Sequence, residues 1–158
     1  MILYKKGFSL IEITVAIAIT LLLVGVSTRV FKNTNNKQSL GQAVTNVVSV
    51  INSARSLAVS SKEFCNYGVN ISTTSNSITS FFVPDLSCTQ SNFATTTLLL
   101  SNSFGVIIST STISGGQIIF QKVEGNTMNA GSFKLQLKND PTSSTTITVY
   151  ATGVLETK

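Results

Sequence analysis

Histidine and tryptophan are absent from the 158 residues, cysteine and proline occur only twice each, and charged side chains make up 11%. Each shortage excludes something. Without histidine the chain lacks the usual general base near neutral pH and the commonest metal ligand, and two thiols alone supply half a tetrahedral zinc set. No metal and no cofactor is therefore expected. Beyond the N-terminal apolar run, the acids Glu63, Asp85, Glu124, Asp140 and Glu156 lie far apart. No Ser/His/Asp, Cys/His, Walker-type or paired-carboxylate arrangement can be assembled, so an enzyme is not expected. Asp85 and Asp140 fall in polar loops, but no run of oxygen ligands at fixed spacing accompanies them, as calcium would require.

The charge balance is weak too. Eleven Lys/Arg against six Asp/Glu give +5, which is not a nucleic-acid signature. Serine, threonine and asparagine stand where exposed charges would be, a composition common outside the cytoplasm. In an oxidising compartment the pair Cys65 and Cys88 is most simply a disulfide, worth roughly 3–4 kcal/mol in the chain-entropy model; two buried free thiols are the alternative.

What the chain has in quantity is one apolar run. Phe8 to Thr28 spans 21 residues with a single formal charge, Glu12. At about 1.5 Å per residue that length crosses a hydrocarbon core of ~30 Å, so a membrane span is expected. A lone carboxylate carried to mid-bilayer costs on the order of 2.5–3.5 kcal/mol, so Glu12 needs the interface or a cationic partner. The macrodipole also favours an acid in a first helical turn by ~0.3–1 kcal/mol. Before the run stand Lys5, Lys6 and Gly7, and no small-residue cleavage site follows it, so any processing signal precedes the helix.

Gly7-Phe8-Ser9-Leu10-Ile11-Glu12 resembles the GF[ST]LIE signature of the type IV pilin superfamily at every position. The resemblance implies a class III leader over residues 1–7, with Lys5 and Lys6 as its basic residues. It implies cleavage by prepilin peptidase between Gly7 and Phe8, N-methylation of Phe8, and a role for Glu12 in assembly through the amine of a neighbouring subunit. Loss of the leader leaves nine Lys/Arg against six Asp/Glu, a net +3. Charge count alone leaves orientation open, with Lys5 and Lys6 on one side of the run and Arg29, Lys32 and Lys37 on the other. The resemblance implies a single-pass inner-membrane protein with a cytoplasmic N-terminus, an extracytoplasmic C-terminal domain and a place in a filament after assembly. Its partners would be other pilin or pseudopilin subunits, the peptidase, the inner-membrane assembly platform, and lipid before assembly.

Behind the run, Leu40, Val44, Val47, Ile51, Ala54 and Ala58 recur at helical spacing, widened by Val48 and Leu57, with Gln42, Asn46, Ser49 and Ser53 opposite. The spacing predicts an amphipathic continuation over 29–61. No proline interrupts Phe8 to Ser61, which as one helix would be ~80 Å long. Asn33 to Asn36 is its weak point, where low propensity permits bending or melting, and Gly41 weakens it further. Many pilins carry a kinking proline in this region, and its absence departs from the pattern.

After Lys62 the period falls to two. Strands are expected at Asn66–Ile71, Ser77–Val83, Thr96–Leu100, Phe104–Ser109, Gln117–Val123, around Phe133–Lys138 and around Ile147–Ala151, with Asn139–Ser144 as a polar turn between the last two. One helix followed by about seven short strands gives an α+β class: a long N-terminal helix, membrane-spanning in its first half (8–28), packed against a mainly antiparallel sheet in a β-rich head, 62–158. Pro84 to Thr95 is a long polar connection.

Ile51-Asn-Ser-Ala-Arg-Ser-Leu-Ala58, with the later Ile119-Phe120, Gly125, Gly131 and Thr152-Gly153, is similar to the H-type minor pseudopilins of type II secretion and the fimbrial T minor pilins. Arg55 reads as a solvated or snorkelling side chain beside the stripe. The resemblance implies a minor pilin or pseudopilin with a structural role. A second reading, from fimbrial T-like members, is a minor pilin that captures DNA during uptake, with Lys122, Lys134 and Lys138 as contacts and terminal Lys158 nearby.

Overall fold

The computed structural model describes residues 9–60, 64–84, 88 and 95–158, with the side chains of 26–34 outside the described set. Two compact units divide the chain, Met1–Asn36 and Lys37–Lys158.

Helix α1 is Leu10–Val59. Ser9 opens it, its carbonyl accepting the amides of Glu12 at 3.1 Å and Ile13 at 3.3 Å. The asparagine-rich run Asn33–Asn36 is helical. At the far end the last carbonyls find three different donors: Ser60 N–H reaches Ser56, the Ser60 hydroxyl reaches Leu57, and Val123 N–H reaches Ala58 at 3.0 Å. The terminal carbonyls that an α-helix leaves unpaired are thus met by its own flank and by a distant turn.

The second unit buries one stripe of α1 against two sheets. Leu40, Ala43, Val47, Ile51, Ala54 and Ala58 are the buried helix residues. Ala43 takes the place expected of Val44, which is only half-buried at the stripe's border. The first sheet has the order β3-β2-β1-β5, from β1 (Asn66–Ser72), β2 (Ser77–Val83), β3 (Thr97–Leu99) and β5 (Gln117–Phe120). The second has the order β4-β6-β7-β8, from β4 (Val106–Ser111), β6 (Gly131–Leu137), β7 (Asp140–Val149) and β8 (Leu155–Thr157). Every described pairing is antiparallel. Alternation does what period two requires: Tyr67, Val69 and Ile71 face inward from β1, and Phe133, Leu135 and Leu137 from β6.

Several boundaries differ from expectation, each for a local reason. Among the described residues the strands form two sheets and number eight, because the three-residue β8 is too short to leave a periodic pattern. Leu100 and Phe104 belong to a short helix, α2 (Leu100–Phe104), which ends in left-handed Gly105. That helix replaces the expected end of one strand and start of the next. β5 stops at Phe120, since Gln121 N–H turns to Asn126 O and the chain leaves the sheet. Ala151 lies in an exposed turn, not in a strand. Most of the expected turn Asn139–Ser144 is strand: β7 begins at Asp140, and a shift in register between Gln136 and Leu137 accommodates the extra residues. The Asp140 carboxylate organises that bulge, accepting bonds from Thr142 N–H at 3.2 Å and the Ser143 hydroxyl at 2.7 Å, besides the Thr142 hydroxyl.

Cys65 and Cys88 form a disulfide, with Cα atoms 4.6 Å apart, joining the start of β1 to the connection beyond β2. The rest of that connection, including Asp85 and most of Pro84–Thr95, lies outside the described residues, as do Lys62 and Glu63.

Asn76, in the tight turn between β1 and β2, joins the two sheets. With φ at +48° its carbonyl accepts Leu100 N–H at 3.0 Å, and its side-chain oxygen accepts Ile108 N–H of β4 at 2.8 Å. Asparagine is one of the few side chains that tolerates this backbone region while offering an acceptor. Asn76→Gly is expected to lower unfolding free energy by about 1–2 kcal/mol in urea titration, through the orphaned amide of Ile108. Asn76→Ala is expected to cost more, since it adds backbone strain.

Hydrogen bonds from the Thr142 hydroxyl first, and then from Ser143, hold the Asp140 carboxyl below its ordinary value of 3.8. A lowered folded-state value stabilises above the unfolded value, and the contribution disappears as pH falls through the folded one. Asp140→Asn should therefore be less stable than wild type at neutral pH, with the difference in Tm closing as the medium is acidified below pH 3.8.

Candidate functional site

The described part of the first unit presents an apolar helix surface that is exposed along its length. Leu10, Ile11, Ile13, Val15, Ile17, Ile19, and Leu21 through Val24 are all at least half exposed, Leu10 at 81% and Leu22 at 72%. A soluble surface helix would carry polar residues on one face. Here every face is apolar, and the one acid is Glu12 in the first turn. Glu12 opens a shallow strip along one side of the helix, continued by Ile13, Ala16, Ile17, Thr20 and Leu21. The hydroxyls along the segment are internally satisfied, Thr14 donating to Ile11 O at 2.9 Å and Thr20 to Ala16 O at 2.7 Å. Among the described residues no helix is long and apolar enough to cross a membrane. The expected span 8–28 runs past the described side chains at both ends. Lys5, Lys6, Gly7 and Phe8 lie outside the described residues.

In the second unit, polar chemistry concentrates where α1 ends. Arg55 donates from Nε to Gly125 O at 3.1 Å and from Nη2 to Thr152 O at 3.2 Å. It is thus neither a solvated nor a snorkelling side chain. Its planar guanidinium grips two turns, one following β5 in the first sheet and one joining β7 to β8 in the second. Both turns need glycine. Gly125 and Gly153 have φ of +66° and +76°; a Cβ on Gly125 would lie 2.4 Å from Val59 Cγ2, and one on Gly153 would lie 2.0 Å from Gly125 O and 2.7 Å from Arg55 Nε. Sequence reading placed Arg55, Gly125 and Thr152-Gly153 in one family-like pattern but missed their contact. The signal available was that two glycines and an arginine, distant in sequence, belonged to the same pattern.

The turn over the helix end carries Val123 in the left-handed region at φ +71°, with its side chain 68% exposed. A β-branched residue there is an outlier that costs on the order of 1–3 kcal/mol. Its amide holds Ala58 O, which ties the strained residue to the helix terminus.

The three candidate lysines fall on different elements. Lys122 extends its ammonium to Phe64 O at the end of the first sheet. Lys134 lies on the outward side of β6, between buried Phe133 and Leu135, and Lys138 sits in the turn after β6, its amide on Gly105 O. Lys134 and Lys158 both flank Thr146 across the second sheet. Lys122 lies in the turn after β5 of the other sheet, and this arrangement gives the DNA-capture reading no support. Among the described residues no three of His, Cys, Asp and Glu are grouped to hold a metal ion.

Comparison with known proteins adds a match of residues 3–28 to the prokaryotic N-terminal methylation motif, and of residues 43–153 to the Type II transport protein GspH model. The chain belongs to the GspH family. The Pseudomonas aeruginosa (strain PAO1) type IV minor pilin FimU has a similar fold in two crystal forms, at 11% identity in each. One gives a TM-score of 0.54 over 75% of this chain and 92% of FimU, the other 0.56 over 77% and 89%. No curated protein matches the sequence. The GspH region contains Arg55, both glycine turns and the disulfide, so the junction lies within the family-defining part of the chain. As a pilin-type protein of this family it is a filament component, assembling with other pilin subunits.

Two substitutions separate strain from grip at this junction. Val123→Gly should raise unfolding free energy by about 1 kcal/mol, since glycine adopts the left-handed region without a Cβ penalty. Gly153→Ala should lower it by more than about 2 kcal/mol, because the new methyl displaces Arg55 and strains the turn. Thermal unfolding of both variants beside wild type checks the opposite signs.

Proposed function

We propose that the chain is made as a prepilin, cut between Gly7 and Phe8, held in the inner membrane with a cytoplasmic N-terminus, and then drawn into a filament as a minor pilin or pseudopilin subunit. The observation that carries this reading is the helix of the first unit, apolar on every face, with Glu12 as its one acid inside the region that matches the methylation motif. Such a surface suits lipid before assembly and the helices of other subunits afterwards.

Prepilin peptidase would release the leader with Lys5 and Lys6 and leave an amine on Phe8, which is then methylated. That amine would set a cation beside Glu12, whose described neighbours along the strip, Ile13, Ala16, Ile17, Thr20 and Leu21, carry no charge. A carboxylate and an ammonium are each costly in an apolar medium, but paired they satisfy one another, so the pairing of Glu12 with a neighbour's Phe8 amine rewards only one register of the two helices. The assembly platform would supply the force for extraction, while the head stays extracytoplasmic, where the disulfide of Cys65 and Cys88 is maintained.

Intact-mass analysis of membrane-bound and filament-bound material checks both steps. The mature protein should lack Met1–Gly7 and carry one added methyl group on Phe8. Glu12→Gln should be processed like wild type yet enter filaments at least about tenfold less, since one lost charge pair of 1.4 kcal/mol corresponds to that factor. A wild-type chain that keeps Met1 beside an active peptidase would refute the processing step, and full incorporation of the Gln variant would refute the pairing.

A further inference from the structure

The sequence contains one Asp–Pro bond, Asp140–Pro141, the other proline following Val83. Of all peptide bonds, Asp–Pro is the most readily hydrolysed in acid. Its nitrogen belongs to a tertiary amide, which takes up a proton more readily than a secondary one, and its carbonyl stands beside a carboxyl that can attack it. In that reaction a side-chain oxygen of the aspartate bonds to the main-chain carbonyl carbon of the same residue, and the C–N bond breaks. The proline nitrogen leaves with a proton as a secondary amine, and a five-membered cyclic anhydride remains. One water then opens the anhydride, so the sum is hydrolysis of a single peptide bond, with nothing oxidised or reduced.

The fold sets this bond in an exposed bulge and ties down the group that would attack it. Asp140 pairs with Leu137 and Ser144 with Gln136, so Pro141, Thr142 and Ser143 are the extra length on β7. Pro141 and Thr142 are exposed, which leaves the bond open to water and acid. Both carboxylate oxygens are engaged beyond the bond, Oδ1 by Thr142 N–H at 3.2 Å and by the Thr142 hydroxyl, Oδ2 by the Ser143 hydroxyl at 2.7 Å. To close the ring, one oxygen must turn back onto the carbonyl carbon and surrender its donors. Hydrogen bonds to an ionised acceptor are among the stronger ones, and a carboxylate that accepts three is a poorer nucleophile. The pairing adds a second restraint: β6 holds Asp140 and Ser144 in register, so a freed proline amine stays beside the anhydride and can close the bond again. The charged side chains on the paired strands are Lys134, opposite Thr146, Glu156, opposite Thr148, and Lys158, whose amide bonds to Thr146 O, with Lys138 in the turn before Asp140; the adjoining α2 carries none.

We propose that Asp140–Pro141 is a latent self-cleavage site, closed in the folded head by the grip of Thr142 and Ser143 on the Asp140 carboxylate and opened when that end of β7 unfolds. The cut parts Pro141–Lys158, with Thr152 and Gly153 of the Arg55 junction, from the rest of the chain. This chemistry does not depend on the assembly reading above.

The test uses the full chain in detergent micelles, held in acid just below the ordinary carboxyl value of 3.8, with and without guanidinium chloride. Near-ultraviolet circular dichroism identifies the folded samples, and each is denatured before intact-mass analysis so that a nicked head falls apart. Release of Pro141–Lys158 should be about tenfold slower, or more, in the folded chain than in guanidinium, the factor that corresponds to giving up one hydrogen bond to a charged group. Thr142→Val combined with Ser143→Ala removes both hydroxyls; while folded it should release the fragment about tenfold faster than wild type, and in guanidinium at the wild-type rate. Ser143→Ala alone should fall between the two, and carries the comparison if the double variant does not fold. Equal rates from folded and denatured wild type overturn the protection. A folded variant no faster than wild type overturns the grip of the two hydroxyls as its cause, and release at the wild-type rate from Pro141→Ala overturns the site.

Discussion

The two sheets of the head share no strand, so everything about this unit depends on what else joins them. One joint is apolar: the stripe from Leu40 to Ala58 packs in the same core as the inner faces of β1 and β5 on one side and β4, β6 and β7 on the other. Burial of that kind is strong but indifferent to direction, at about 25 cal/mol per Å² wherever the area is covered. The polar joints supply direction. Asn76 carries an acceptor from the first sheet to an amide of the second, Arg55 holds one carbonyl from each, and Thr127 N–H reaches Ala151 O across the same gap. Hydrogen bonds have preferred distances and angles, so these few contacts set the relative placement that the apolar core leaves soft.

The class of the fold was legible because long-range periodicity is a strong signal. The change from 3.6 to 2 near Lys62 separates helix from strands, and β1 and β2 appear within a residue of their expected limits. What escaped detection was local or relational. β8 has three residues, and α2 has five beginning with an apolar leucine that reads as the end of a strand. The division into two sheets is a property of pairing, which no single segment encodes. Ala43 holds the core place expected of Val44, since the buried stripe Leu40, Ala43, Val47, Ile51, Ala54 and Ala58 steps by three and four residues and leaves Val44 at its border.

The candidate site divides the same way. Glu12 stands out in any reading, since a carboxylate in a long apolar run is anomalous on composition alone. Arg55 does not, because an arginine beside a helical stripe is ordinary, and only the geometry shows its two carbonyl partners 70 and 97 residues away in sequence. Val123 carried no sequence signal, because valine says nothing of φ, and its strain exists only once β5 ends at Phe120 and the chain must turn over the helix terminus.

Thr14 and Thr20 close their hydroxyls onto carbonyls of their own helix. Apart from Glu12, the side chains described from Leu10 to Gly25 therefore present no polar group that needs anything from its surroundings. Moving such a helix from one apolar medium to another exchanges dispersion contacts for dispersion contacts, a nearly level transfer. Among those described side chains, any free-energy difference between two such media is concentrated in a single carboxylate, that of Glu12.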